Sequence, residues 1–214
     1  MTILVTGFEP FDGETVNPAL EAARRLHGMS LGGHQVTALE LPCVFGASIA
    51  RLQQAMAELQ PDIVVCIGQA GGVPCLEVER VAINVDDARI PDNAGRQPID
   101  EPVIAGGPAA YFSGLPIKSI VAALTAAGIP AAVSQTAGTY VCNHIFYGLS
   151  HLVATHHPHV RGGFIHIPYL PEQAARHAGA ASMALDTVIA GLKIVLQTTV
   201  AVTKDAKLQG GQTH

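Results

Sequence analysis

Charge is scarce in this sequence. Only 14% of the 214 residues are charged, 12 basic and 17 acidic, scattered without long runs. A net charge of -5 spread in this way offers no face for a polyphosphate, so nucleic acid is not an expected partner. Also missing is any apolar stretch of the roughly 18 residues needed to cross a bilayer. The N-terminus has no basic region followed by a hydrophobic signal core, and a cytoplasmic protein without membrane contacts is expected. The four cysteines, Cys43, Cys66, Cys75 and Cys142, form no CxxC pair and show no tight metal-type spacing. Neither a disulfide framework nor a zinc site is suggested, and each cysteine has to be read on its own.

What the chain does have is apolar residues, 49% of the total, which excludes disorder and favours a large buried core. Its length suits one α/β core and is short for two, so 1–214 reads as a single domain. Apolar runs of strand length, at 3–8, 36–41, 63–67, 131–134 and 163–167, alternate with stretches of helical period. Asn17-Pro18 supplies an N-cap and an N1 proline for a first helix, with Leu20, Ala23 and Leu26 at helical spacing. Further helices are predicted over about 48–60, stopped by Pro61, from Pro116 to Gly128, from Val141 onward, and over about 173–198. A polar tail at 204–214 is expected to fray.

Between Pro91 and Pro116 lie nine glycines and prolines, which predicts a long loop. Its Tyr111-Phe112 pair and its acids Asp92, Asp100 and Glu101 suit a lid or a subunit contact; an excursion with no role fits equally well.

Cys142 follows Gly138-Thr-Tyr-Val and opens the stretch Asn143-His-Ile-Phe-Tyr, at the junction of a predicted strand and helix. A helix N-terminus carries partial positive charge and free N–H groups, which favour a thiolate and can hold an oxyanion. On position alone, a buried inert cysteine is the weightier reading, and Cys43, Cys66 and Cys75 fit it well. A thiolate nucleophile needs a histidine to share its proton and later protonate a leaving amine. Of ten histidines, His151, His156, His157 and His159 fall at a helix end and in the turn after it, where exposed polar residues are the default. His166 instead sits near the end of an apolar strand, where catalytic groups of α/β sheets gather. A carboxylate to orient its ring is available in Glu79, within Leu76-Glu-Val-Glu-Arg-Val-Ala-Ile, where alternation places Glu77, Glu79, Val81 and Ile83 on one face. An ion pair of Glu79 with Arg80 or Arg89 is the competing fate. The glycine-bearing turns at 7–13 and 68–72 follow strands but lack the remainder of a P-loop or a dinucleotide fingerprint.

Four segments in order, TGFEPFDGETVNPA at 6–19, GQAGG with LEVERVAINVDDARIPDN at 68–93, SQTAGTYVCN at 134–143 and HIPYLPEQ at 166–173, resemble the pyroglutamyl peptidase I family of cysteine peptidases. The resemblance implies a three-layer αβα sandwich around a mixed, mostly parallel twisted sheet, of phosphorylase/hydrolase-like type. It implies removal of an N-terminal pyroglutamyl residue from peptides by a cysteine-histidine-glutamate triad, falling here on Cys142, His166 and Glu79. It further implies a pocket for the lactam ring at Phe8, Phe11, Ile90, Tyr140 and Val141, with Gln69 hydrogen-bonding the ring and Arg89 lining the oxyanion region. A cytosolic homotetramer that needs neither metal nor cofactor is the implied assembly. Cys43 stands where threonine is expected, and Val73 where arginine usually follows GQAGG. A thiol amidohydrolase acting on another small amide, or a nucleotide-binding module without catalysis, are the alternatives.

Overall fold

A computed structural model describes residues 1–211. The chain runs β1 (Thr2–Phe8), α1 (Pro18–Leu26), β2 (Ser30–Leu31), β3 (His34–Leu41), α2 (Ala47–Leu59), β4 (Ile63–Gln69), β5 (Leu76–Glu79), β6 (Val81–Ile83), β7 (Ala110–Phe112), α3 (Ile117–Ala126), β8 (Ala131–Ser134), α4 (Val141–Thr155), β9 (Arg161–Ile167), α5 (Pro171–Ala174) and α6 (Leu185–Ala201). The start of α1 follows from its cap: Asn17 Oδ1 accepts the Ala19 amide, and Pro18 occupies N1, where its missing N–H costs nothing.

Seven strands form one sheet in the order β2-β3-β1-β4-β9-β5-β8. Its pairs are parallel except β2–β3 and β5–β9. Strand alternation then sorts side chains into two cores. Ile3, Val5, Val65, Val78, Ile165 and Ile167 pack under α1, α3 and α6, whereas Leu4, Phe8, Val64, Cys66 and Phe164 pack under α2 and α4. The result is the expected αβα sandwich. No helix of the described residues is long and apolar enough to cross a membrane.

Three expectations need correction. The strand-like run through Ile83 breaks at Arg80: Glu79 ends β5 in the main sheet, and β6 pairs with β7 in a separate two-stranded sheet. Alternation continues across the break, so periodicity could not register it. The long last helix is two pieces, because the chain between them turns at Gly179, whose φ of 76° is left-handed, and bridges Tyr169 to Ser182. The segment expected to fray is tied down: Asp205 accepts the Lys118 and Ser119 amides and the Ser119 hydroxyl, and the Gly210 carbonyl accepts Arg80 Nη2. Residues 212–214 of that tail lie outside the described residues.

The predicted 91–116 loop contains β7 and runs over the surface, pinned to the body at a few buried points. Buried Asp92 accepts the Phe45 amide, and Asp86 and Glu101 exchange backbone hydrogen bonds.

Candidate active site

Strand pairing alone brings three of the candidate groups together. β9 lies between β4 and β5, with His166 in register with Gly68 on one side and with Glu77 on the other. Side chains opposite one another point to the same face, and Glu79, two residues beyond Glu77, shares it. Because Val78, Ile165 and Ile167 fill the opposite core, His166 and Glu79 must face the α2/α4 layer. There α4 begins, and its second residue is Cys142.

His166 Nδ1 donates to Glu79 Oε1 at 2.7 Å, with side-chain exposures of 8% and 0%. Because the carboxylate only accepts, this bond fixes the proton on Nδ1 and leaves Nε2 available to the Cys142 thiol. Burial by itself would lower the His166 pKa, but the charge and hydrogen bond of Cys142, joined by Glu79, push it up to about 10. A Cβ on Gly68 would lie 2.8 Å from Cys142 Sγ, so only glycine leaves room there for the sulfur.

The other cysteines differ sharply. Burial pushes Cys43 and Cys66 up to about 12, and burial with the Glu77 charge raises Cys75, so all three stay as protonated thiols. Cys142 is half-buried and at the head of a helix whose N-cap, Tyr140, supplies no side-chain bond to the first-turn amides. Those N–H groups have no intrahelical acceptor and can hold an oxyanion.

Cys142 and His166 open into a cavity of roughly 530 Å³, whose walls include Phe11, Gln69, Arg89, Ile90 and Tyr140. Two residues of the expected ring pocket are not in its lining. Phe8, 2% exposed at the end of β1, and Val141, 1% exposed, are packed into the α2/α4 core. A larger open hollow of about 880 Å³ between α3 and the C-terminal segment has neither cysteine nor histidine among its walls.

One wall is the strip 83–91, held to the head of α4 by several bonds. Asn143 accepts the Ile83 amide at Oδ1 and donates from Nδ2 to the Ile83 and Val85 carbonyls. His144 Nε2 accepts the Gly46 amide, so its Nδ1 carries the proton that goes to Asp86 at 2.8 Å. Tyr140 Oη donates to the Pro91 carbonyl. This strip delivers Arg89 and Ile90 to the cavity. Behind the opposite wall, buried Gln173 accepts the Leu170 amide at Oε1 and donates from Nε2 to Gln69 Oε1.

Tyr169, Gln173, Asn143 and Glu77 are not singled out by the sequence reading, although all four stand inside the segments quoted for the resemblance. Ligand atoms of Glu77, Glu79 and His166 lie within 4.8 Å of one another, a spacing open to a metal ion. A cation there would have to compete with the bond that Glu79 and His166 already make to each other.

A sequence model described as pyroglutamyl peptidase matches residues 1–202. Pyrrolidone-carboxylate peptidase 1 of Ralstonia nicotianae is 61% identical over 213 residues, which span 100% of this chain and 99% of that protein. Its counterpart from Erwinia tasmaniensis is 58% identical over 212 residues, 99% of each. Among solved structures, pyroglutamyl peptidase I of Bacillus amyloliquefaciens superposes with a TM-score of 0.94 at 54% identity, covering 96% of this chain and 99% of that one. A mutant pyrrolidone carboxyl peptidase of Pyrococcus furiosus gives 0.91 at 41%, over 94% and 99%. With agreement of sequence and fold along nearly its whole length, the chain belongs to the pyroglutamyl peptidase family.

Proposed function

We propose that the protein is a cysteine exopeptidase, an omega peptidase that hydrolyses the amide bond after an N-terminal pyroglutamyl residue of peptides and proteins. The observation that carries this reading is the meeting of Cys142, His166 and Glu79 at the mouth of a cavity with aromatic and apolar walls. Pyroglutamate has no free amine, so its pocket has to accept a small, flat, uncharged lactam. Phe11, Tyr140 and Ile90 offer walls for such a ring, and Gln69 a hydrogen bond; Phe8 and Val141 support those walls from the core.

In the resting site the His166 ring holds the proton of the Cys142 thiol, giving a thiolate and an imidazolium with Glu79 behind it. The sulfur attacks the pyroglutamyl carbonyl carbon, and the oxyanion that forms is held by the α4 amides, with Arg89 at the same wall. His166 passes its proton to the departing amine as the C–N bond breaks, leaving a thioester on Cys142. Water then attacks the thioester while His166 takes its proton; the sulfur leaves and pyroglutamate is released. No step in this sequence draws on a metal or cofactor. The site also suits a cytoplasmic protein, where thiols stay reduced, and a homotetramer is the proposed assembly.

Release of the chromophore from a pyroglutamyl amide, with and without prior treatment by iodoacetamide, tests the proposal. Thiol-sensitive hydrolysis is expected; no hydrolysis, or hydrolysis indifferent to alkylation, would exclude it.

A further inference from the structure

Glu77 takes no part in this mechanism, yet it stands inside the site. Its register partner is His166, so its side chain projects from the same face. It lines the catalytic cavity half-buried, with no ion pair or side-chain hydrogen bond among the described residues. Burial and the charge of Glu79 raise its carboxyl, and the His166 imidazolium pulls it back. An uncommitted carboxylate at this depth has a desolvation cost that a cation brought by the substrate would help to offset.

Its position relative to the substrate follows from the chemistry. His166 protonates the leaving amine, which must therefore come within hydrogen-bonding distance of the ring. The Glu77 carboxylate lies within 4.8 Å of a His166 nitrogen. Adding the width of an imidazole and one hydrogen bond keeps the leaving nitrogen within about 10 Å of Glu77. The lactam ring lies on the far side of the scissile carbonyl, toward Phe11 and Tyr140. A carboxylate that lines the cavity within this radius of the leaving nitrogen is in reach of the residue that departs.

The surrounding charge reinforces it. Asp12 and Asp87 also line the cavity without ion pairs among the described residues, and Arg89 is the one unpaired arginine or lysine of the lining. Glu14, the remaining acid, is paired with Arg176.

We propose that Glu77 is a specificity-determining residue on the leaving-group side, selecting pyroglutamyl peptides whose second residue is basic over those in which it is acidic. The inference rests on the pyroglutamyl peptidase reading. Where the charged tip of the second residue's flexible side chain comes within about 10 Å of Glu77, two charges near a protein surface interact strongly enough for about a tenfold preference.

The test compares kcat/KM for three peptide amides, pyroglutamyl-Lys-Ala, pyroglutamyl-Ala-Ala and pyroglutamyl-Glu-Ala, at pH 8 and low salt. A ratio within one enzyme cancels any effect of a variant on His166 or on folding. The wild-type Lys/Glu ratio is expected near tenfold, to shrink in salt, to fall toward one in Glu77→Gln and to invert in Glu77→Lys, with Asp87→Asn leaving most of it in place. A wild-type ratio near one, or a ratio that Glu77→Gln leaves unchanged, overturns the assignment to Glu77. Failure of the wild type to cleave even the Ala peptide would instead sink the peptidase reading, and this inference with it.

Discussion

Gly68 and Cys142 are complementary: the strand residue lacks a side chain where the helix residue places its sulfur, 2.8 Å from where a Cβ would stand. That same Cβ would also meet the Phe164 ring at 2.6 Å, so the surroundings cannot yield in either direction without moving the site or the core. The approach of α4 to the sheet, and with it the contact of Cys142 with His166, depends on this absence.

Gly68→Ala is therefore expected to cost about 1–3 kcal/mol of stability by overpacking. Its activity should drop at least roughly tenfold, since a displaced nucleophile misses the carbonyl. Thermal melts and kcat/KM on a pyroglutamyl amide measure both; a variant with wild-type activity would show that the sulfur does not sit against the strand during turnover.

Glu79→Gln should retain the fold and lose roughly 10–1000-fold in kcat, because the ring loses the charge that holds its imidazolium and fixes its tautomer. A pH signature accompanies the loss. Protonated His166 donates to the leaving amine, so activity declines as pH rises through the raised pKa of the site; in the wild type that alkaline limb lies far above the ordinary histidine range, toward about 10. Removing the carboxylate lowers this pKa, and the limb of kcat/KM should move to lower pH. An unmoved limb would remove Glu79 from the triad.

Asn143 makes three hydrogen bonds to the strip that carries Arg89 and Ile90. Replacing it by alanine strands the Ile83 amide and two carbonyls, at a cost of about 2–3 kcal/mol. Urea unfolding should show the loss, together with a raised KM, since the wall of the cavity is released. Stability within a few tenths of a kcal/mol of wild type would contradict the pinning role.

Asp205 is partly buried, which would raise its carboxyl, but the amides of Lys118, Ser119 and Ala206 and the Ser119 hydroxyl outweigh this and hold it below the usual value. A depressed carboxylate stabilises the fold above its unfolded pKa and loses that contribution as pH falls through the folded one. The Tm difference between wild type and Asp205→Asn should thus be full at neutral pH and vanish in acid, near and below the ordinary aspartate range. A difference constant with pH would rule out the ionised carboxylate as the anchor.

Local rules made much of this fold legible. Asn17-Pro18 begins α1 because cap chemistry is set by two adjacent residues, and Gly128, at φ 74°, follows the end of α3 for the same kind of reason. The placing of Cys142 at a strand-to-helix junction was equally local. What was hidden depends on pairing between distant strands. Alternation reads Glu77, Glu79, Val81 and Ile83 as one strand, although the chain changes sheets at Arg80. The proximity of Glu77 to His166 arises from an antiparallel register between β5 and β9 that nothing in either segment announces. Phe8 looks like a wall of the pocket in sequence, yet β1 turns its even-numbered side chains into the α2/α4 core. The tail at 205–210 looked loose because its polar residues find their partners on α3 and at Arg80, over 80 residues away in sequence.

The measurement closest to the centre of the account is kcat/KM for Cys142→Ala on a pyroglutamyl amide, beside Cys43→Ala and wild type, each shown folded by its melting curve. Turnover should disappear in Cys142→Ala and persist in Cys43→Ala, whose buried thiol is neither ionised nor aimed at a base. Hydrolysis surviving in folded Cys142→Ala would contradict the thioester mechanism and the assignment of Cys142 as its nucleophile.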